Sequence, residues 1–299
     1  MTLVRPAREE DVEAAAEMLN EHSRGLYGTD DLTLADLLMF WTSPDVELGQ
    51  DVLLAESADG RLGGYADLGV HGDAVWLDVR GTDPATLPAV LEAIEERATT
   101  KEPDKKVWAY TSADDAPLVE LLERMGYRRV RHSFRMRIDL DRDLPVPEWP
   151  DGVSARTMSE GEERRVYEAQ MASFADTWMF APDPYDVWLH WMVEESSFDR
   201  SLWFVAEQDG ELAGIVIARA PEQEPGVGWV RILGVVPERR RRGLGQALLQ
   251  HTFAEFARRG FTAVGLGVDA ENPTGAVSVY ERAGMHVERT NLIFEKSQG

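Results

Sequence analysis

The stretch from Leu233 to Gln246, LGVVPERRRRGLGQ, constrains the fold more than any other part of the chain. A short apolar run ends at Val236 and Pro237 forbids the strand from continuing. From Leu244 a helical stripe follows, carrying Leu248, Leu249, Thr252, Phe253 and Phe256. The pattern predicts a strand, a tight loop and a helix. The loop holds Arg240 and then Gly243 and Gly245, so the backbone can approach a ligand closely while the unpaired N–H groups of the first helical turn face the gap. A helix N-terminus carries partial positive charge, and Arg239 to Arg242 add full charges beside it, so the loop suits a phosphate or pyrophosphate. Taken alone, RxxGxG fits equally well an exposed basic turn ahead of a glycine-softened helix start.

A second motif decides between them. Ala263 to Val268 reads as an apolar strand, and DAENPTGAVSVYERAGM follows from Asp269 to Met285. VxPxxRRRGLG, then a strand, then NPTGAxxxYERAGM resembles the GNAT superfamily, the GCN5-related N-acetyltransferases. The resemblance implies an α/β (α+β) fold with a mixed, mostly antiparallel twisted sheet flanked by helices. It also implies direct transfer of an acetyl group from acetyl-CoA to a primary amine of a small molecule or peptide, with no metal. Carried over residue by residue, Arg240, Arg241, Arg242, Gly243, Leu244, Gly245 and Gln246 cradle the pyrophosphate, and Asn272 contacts the pantetheine arm. Leu233, Gly234 and Val235 present backbone N–H groups to the pantetheine and thioester, the Val235 N–H being the donor to the thioester carbonyl. Tyr280 is the general acid for the departing thiolate. Two departures stand out: Arg241 takes the place where the common loop has glycine, and the Asn272-to-Tyr280 spacing is one residue longer than usual.

Each assignment has a plainer alternative. Tyr280 could be a helix core aromatic beside Val277, and Asn272 a turn residue ahead of Pro273. The general base is not legible, because Gly228 to Val235, where the family often carries a carboxylate, holds Trp229 and Arg231. His190, Asp176, Glu194 or a chain of waters could serve. The remaining histidines, His22, His71, His132, His251 and His286, show no metal spacing.

Composition narrows the partners. With 54 acidic against 31 basic residues the formal charge is −23, which argues against nucleic acid and against an anionic membrane surface. The arginine run is thus a local exception that favours a small anion. The chain has 0 cysteines, which excludes disulfides, thiolate metal sites and a thiol nucleophile. No stretch reaches the length of a membrane span, and the opening MTLVRPAREEDVEAA lacks an apolar core, so the expected compartment is the cytoplasm. The expected assembly is a monomer or homodimer.

The chain also repeats itself. In the first half, Leu3 to Arg5, Val52 to Glu56, Leu62 to Val70, Ala74 to Val79, Val107 to Thr111 and Arg131 to Leu140 read as strands. Helices are predicted from Asp11, over Leu32 to Trp41, Pro84 to Ala98 and Ala116 to Met125. DRDLPVPEWPDG, with Pro145, Pro147 and Pro150, reads as a stiff linker. The series then returns from Val153. VLLAESADGRLGGYA from Val52 matches WFVAEQDGELAGIVIA from Trp203, aligning Glu56 with Glu207, and VELLERMGY from Val119 matches VSVYERAGM from Val277, aligning Leu122 with Tyr280. In the first half the arginine-glycine loop is reduced to RGTDPAT from Arg80. The expected domains are therefore residues 1–140, a degenerate GNAT-like domain without the CoA loop, a linker over 141–152, and residues 153–299 with the acetyl-CoA site.

Phe174 to Trp191, carrying Trp178, Met179, Phe180, Tyr185, Trp188 and Trp191, is an aromatic segment that could wall the acceptor site or pack a helix pair. Two other classes of function stay open at this point: a CoA or acyl-CoA sensor that transfers nothing, and an arginine docking patch.

Overall fold

The computed structural model describes residues 2–141, 143–178, 180–195, 197–272 and 274–296. Met179 and Pro273, which belong to segments singled out above, lie outside the described residues. Contacts divide the chain into two compact units: the described residues up to Ser133 together with those from Thr290 onward, and Phe134–Arg289.

The first unit runs β1 (Leu3–Pro6), α1 (Val12–Tyr27), α2 (Leu34–Trp41), α3 (Leu48–Asp51), β2 (Val52–Glu56), β3 (Leu62–His71), β4 (Ala74–Gly81), α4 (Leu87–Lys101), β5 (Lys106–Ser112), α5 (Ala116–Arg124) and the start of β6 (Arg128–Asp139). Strands β1 to β4 pair antiparallel in order, and β4 pairs parallel with β5. Helices α1 and α2 bury Leu19, Leu37 and Trp41 against Leu54 and Tyr65, while α4 and α5 bury Leu91, Ile94 and Leu122 with Leu68, Leu77 and Val79. Helix α4 starts three residues later than Pro84, because Thr86 first closes a turn onto the Asp83 carbonyl, its backbone N–H at 3.0 Å and its hydroxyl at 2.8 Å.

The second unit follows with β7 (Val153–Thr157), α6 (Glu163–Phe174), α7 (Tyr185–Val193), β8 (Trp203–Gln208), β9 (Glu211–Arg219), β10 (Val227–Val235), α8 (Leu244–Arg258), β11 (Ala263–Asp269), α9 (Ala276–Arg282) and the start of β12 (His286–Lys296). The described residues between 143 and 152 carry no helix or strand, as their prolines require. The order across the sheet is β6-β11-β10-β9-β8-β7, antiparallel from β7 to β10 and parallel between β10 and β11. Central strand β9 is covered on both faces: Val216 and Ala218 pack with α8, Ile215 and Ile217 with α6 and α7. The predicted α8 stripe of Leu248, Leu249, Thr252, Phe253 and Phe256 is wholly buried. Gly228 admits it closely, since a Cβ there would meet the Phe256 ring at 2.5 Å. The end of β12, from Asn291 to Lys296, belongs to the first unit and pairs antiparallel with β5. Neither α3 nor β12 was apparent from the pattern of residues.

The internal repeat extends to irregularities. Register slips between Ala55 and Glu56 in the first hairpin and between Ala206 and Glu207 in the second. In each half an arginine of the opening strand bridges the aligned glutamate and an acid just before the first long helix. Arg5 meets Glu56 at 3.1 Å and Asp11 at 2.7 Å; Arg156 meets Glu207 at 2.8 Å and Glu162 at 2.6 Å. The Arg156 hydrogen bonds hold the Glu162 carboxyl down at about 2. Asp209 and Gly210 in the second hairpin turn both take positive φ, 57° and 83°, the geometry that lets a two-residue turn follow the twist of its strands.

Candidate active site

The site is built where β10 and β11 part. Their parallel pairing runs from Val227–Ala263 to Val230–Leu266 and stops there, although β10 continues to Val235. Past a register slip between Val230 and Ile232, β10 stays paired with β9 alone. The Val236 N–H donates to the Ala213 carbonyl at 3.1 Å. Antiparallel pairs alternate between hydrogen-bonded and non-bonded, so Gly234, opposite Ile215, exchanges bonds with β9, while the N–H groups of Leu233 and Val235 turn away from β9 into the gap. The Val235 carbonyl points the same way and accepts from Arg240 Nε at 3.1 Å. Leu233 and Val235 are thus placed as the family resemblance implies. Gly234 is buried, and a Cβ on it would lie 3.0 Å from both Cβ and Oγ of Ser173.

The gap opens into a cleft of about 690 Å³ lined by the end of α6, the end of β10, the arginine-glycine loop and α9. It therefore joins the α6/α7 face of the sheet to the α8/α9 face. Of the residues picked out in the sequence, Leu233, Val235, Arg240, Arg241, Gly243, Leu244, Gly245, Gln246, Asn272 and Tyr280 line it, and Gly234 and Arg242 do not. Gly243 takes φ +84° as the residue before α8, and no side chain caps that helix. Its first N–H groups are therefore left for a ligand. Arg241, standing where the common loop has glycine, adopts φ +62°, the left-handed region glycine enters without strain. Arg241 and Arg242 are exposed, and neither pairs with an acid among the described residues. Arg240 is turned the other way. Its guanidinium holds Asp176 at 2.6 and 2.9 Å, the Ser173 carbonyl at 2.8 Å and the Val235 carbonyl, bolting the end of α6 to the end of β10.

Tyr280 packs in the core and also reaches the cleft. Its ring belongs to the core with Leu248 and Phe253, and the residue lines the cleft. The hydroxyl has no hydrogen-bond partner among the described residues, and burial raises its pKa from 10 to about 12. Asn272 is a turn residue at the cleft. Its Oδ1 accepts from the Thr274 N–H at 2.9 Å, shaping the turn, and it lines the cleft.

The candidates for general base fare differently. Asp176 lines the cleft, but its hydrogen bonds from Arg240 lower its pKa and hence its basicity. His190 pairs with Glu194 at 3.1 Å, and neither lines the cleft. Arg231 donates to the Trp191 carbonyl at 2.7 Å and to Glu195 at 2.9 Å, so it ties α7 to β10. The aromatic segment is largely packing. Trp188 is fully buried, stacked on Tyr185 and in edge contact with Trp203. Of the described aromatics of that segment, Phe174 alone lines the cleft. Ser173 and Thr177 were also missed, because polar residues at a helix end carry no signal of what they face.

The corresponding loop of the first unit is closed by its own side chains. Asp83 accepts from the Ala85 N–H at 3.0 Å and from Ser57 Oγ at 2.7 Å, which fixes a carboxylate in the turn that precedes α4. Thr86 fills the space over Gly64, where a Cβ would come within 2.6 Å of its hydroxyl. Arg80 is bound to Asp78 and Asp31.

No group of His, Asp and Glu among the described residues could hold a metal ion, and no helix among them is long and apolar enough to cross a membrane. Residues 164–285 match the acetyltransferase (GNAT) family. The mycothiol acetyltransferase of Thermobispora bispora is 34% identical over 215 residues, 69% of this chain and 68% of that protein. The crystal structure of a GCN5-related N-acetyltransferase from Sphaerobacter thermophilus is 29% identical with a TM-score of 0.80, covering 99% of this chain and 95% of that one. A tandem GNAT protein from the clavulanic acid biosynthesis pathway shares the fold with a TM-score of 0.76 at 17% identity, over 100% of this chain and 99% of that one.

Proposed function

The chain belongs to the GNAT acetyltransferase family and is an acetyl-CoA-dependent N-acetyltransferase, and from that premise we propose how its second half performs the transfer. Acetyl-CoA is bound by the part of residues 153–299 that lies in the second unit, and residues 1–140 supply most of a GNAT-like fold without a CoA loop, which the described residues from Thr290 onward complete; residues 141–152 join the two stretches of chain. The observation that carries this is the uncapped start of α8 beneath Arg241 and Gly243, continuous with strand N–H groups that face the β10–β11 gap. The residues fit the co-substrate. The helix N-terminus and the arginines suit its pyrophosphate, the parted strands suit an extended pantetheine arm, and Gly245 leaves open the space a side chain would fill.

In this reading Leu233 and Val235 hold the pantetheine and the acyl carbonyl through their N–H groups, and the Val235 donor is ready for charge that develops on that oxygen. Gly234 keeps its N–H for β9 and, having no side chain, lets α6 approach. Arg240 positions the α6 end and the β10 end relative to each other, and Arg241 and Arg242 supply charge. Gln246 and Asn272 line the path of the arm. Tyr280, protonated throughout the neutral range, donates to the sulfur as it leaves. With Asp176 committed to Arg240, the amine enters neutral and its last proton goes to water. The chain has no cysteine to form an acyl-thioester, and with the family's single-step chemistry this supports direct transfer.

The acceptor proposed is a primary amine of a small molecule, and mycothiol lacking its acetyl group is the first to test, since a relative 34% identical is a mycothiol acetyltransferase. The protein is proposed to be cytoplasmic and monomeric or dimeric, with no nucleic acid or membrane partner. The experiment is acetyl-CoA consumption, read by thiol release, across that amine, aminoglycosides, amino acids and peptides. Binding of acetyl-CoA with no turnover on any of them would overturn the acceptor assignment.

A further inference from the structure

A thioester carbonyl attacked by an amine becomes an oxyanion, and one backbone N–H from Val235 is a sparse hole for it. The cleft holds one more donor that the protein itself does not use. Ser173 lies in the last turn of α6 and is 6% exposed, and its Oγ is buried with no hydrogen-bond partner among the described residues. Other hydroxyls lining the cleft differ: Thr177 donates to the Phe174 carbonyl at 2.7 Å, Thr274 donates to Asn272, and Ser278 is exposed. Nor is Ser173 loosely placed. Its carbonyl is gripped by Arg240 at 2.8 Å, and its side chain lies against Gly234, between the two strand residues whose N–H groups face the gap. Burying a hydroxyl without a partner is costly, and at a cleft a bound ligand can supply the partner. Ser173 is on the α6/α7 face and Tyr280 in the α8/α9 core, so an acyl group passing between the parted strands has Tyr280 on the sulfur side and Ser173 on the side it emerges from.

We propose that Ser173 is a catalytic residue: its hydroxyl and the Val235 N–H together bind the acyl carbonyl oxygen as it becomes an oxyanion. The nitrogen lone pair forms the C–N bond and the carbonyl π pair moves onto oxygen, where the two donors hold it. The pair then returns as the C–S bond breaks, the sulfur leaves as thiolate beside Tyr280, and the proton on nitrogen passes to water. This rests on the reading that acetyl-CoA occupies the cleft.

The test is Ser173→Ala in the full chain, with acetyl-CoA carrying carbon-13 at its carbonyl as the probe. Difference infrared spectroscopy should show the bound carbonyl stretch lowered in the wild type and shifted back toward its value in water in the variant. Because alanine removes only an unsatisfied hydroxyl, the melting temperature should stay or rise and acetyl-CoA affinity should change by less than about threefold. With the most active amine of the panel, kcat should fall by about 10²-fold, as for loss of an oxyanion donor, with the acceptor KM unchanged. An unshifted carbonyl stretch with unchanged kcat overturns the proposal. So does a raised acceptor KM at constant kcat, which would make Ser173 an amine-binding residue. If acetyl-CoA fails to bind the wild type at all, the cofactor reading itself is wrong and the proposal falls with it.

Discussion

Replacing Tyr280 by phenylalanine separates the packing of its ring from the proposed role of its hydroxyl. The ring sits in the core at 8% exposure and stays there in the variant, so packing is conserved. The hydroxyl has no partner among the described residues, so its loss should change stability by less than about 1 kcal/mol, in either direction. Its value to the reaction can be bounded. Burial raises the phenol to about 12, whereas an ordinary thiol ionises near 8.5, so complete proton transfer to the departing thiolate runs uphill by on the order of 5 kcal/mol. A hydrogen bond to the sulfur as it gains charge carries no such penalty and contributes about 1.5–3 kcal/mol, a factor of about 10 to 10² in rate. Complete general-acid transfer would reach about 10² to 10⁴. The expected result for Tyr280→Phe is therefore a fall in kcat of up to about 10²-fold, measured by thiol release at saturating acetyl-CoA, with acetyl-CoA affinity and melting temperature unchanged. An unchanged kcat refutes the donor role and leaves Tyr280 a packing residue. A loss near 10⁴-fold refutes the argument from the raised pKa and restores full proton transfer. If the melting temperature collapses along with activity, the hydroxyl holds the fold in a way its lack of partners does not account for.

Other perturbations address the cradle and the framework. Titration calorimetry should give one acetyl-CoA equivalent per chain, because the first-half loop lacks the arginine run and the glycine pair and holds the Asp83 carboxylate in the turn before α4; a second equivalent in wild-type protein would show that the first-half loop binds after all. Gly245→Val should abolish binding while the protein still melts cooperatively, since a Cβ at Gly245 meets only Val235 Cγ2, at an ordinary 3.6 Å; normal affinity in a folded variant would mean the pyrophosphate lies elsewhere. Arg241→Gly relieves a left-handed arginine, so stability should rise by up to about 1 kcal/mol, while acetyl-CoA affinity weakens severalfold and becomes less salt-dependent; a lower melting temperature contradicts the strain. Arg156 depresses the Glu162 pKa to about 2 from 4.5, so the stability from this pair is present above about pH 4.5 and lost as pH falls toward about 2. The melting-temperature gap between wild type and Glu162→Gln should therefore close on acidification, and a gap that persists at about pH 2 would show that the pair is not its source.

What the sequence determined by itself is everything written in short-range pattern. Pro237 ended a strand, Gly243 and Gly245 opened a helix, and the α8 stripe announced its buried face, because side-chain periods of two and 3.6 depend only on neighbours along the chain. The repeat was legible for the same reason, down to Glu56 and Glu207, which both sit at a register slip. The tertiary structure alone decided matters that depend on distant partners. That Arg240 turns from the ligand side to Asp176 and Ser173 requires α6, sixty-odd residues away, to end beside β10. That Leu233 and Val235 offer their N–H groups to the gap follows from one bond, Val236 to Ala213, whose alternation propagates back along the strand. The first unit's sheet takes its last strand from Asn291 to Lys296, and no local pattern can say which strand edge a segment will pair with, because any edge offers the same backbone donors and acceptors. Ser173 is the sharpest case. Its residue type is unremarkable, and only the folded chain shows that its hydroxyl is buried, unpaired and placed at the cleft.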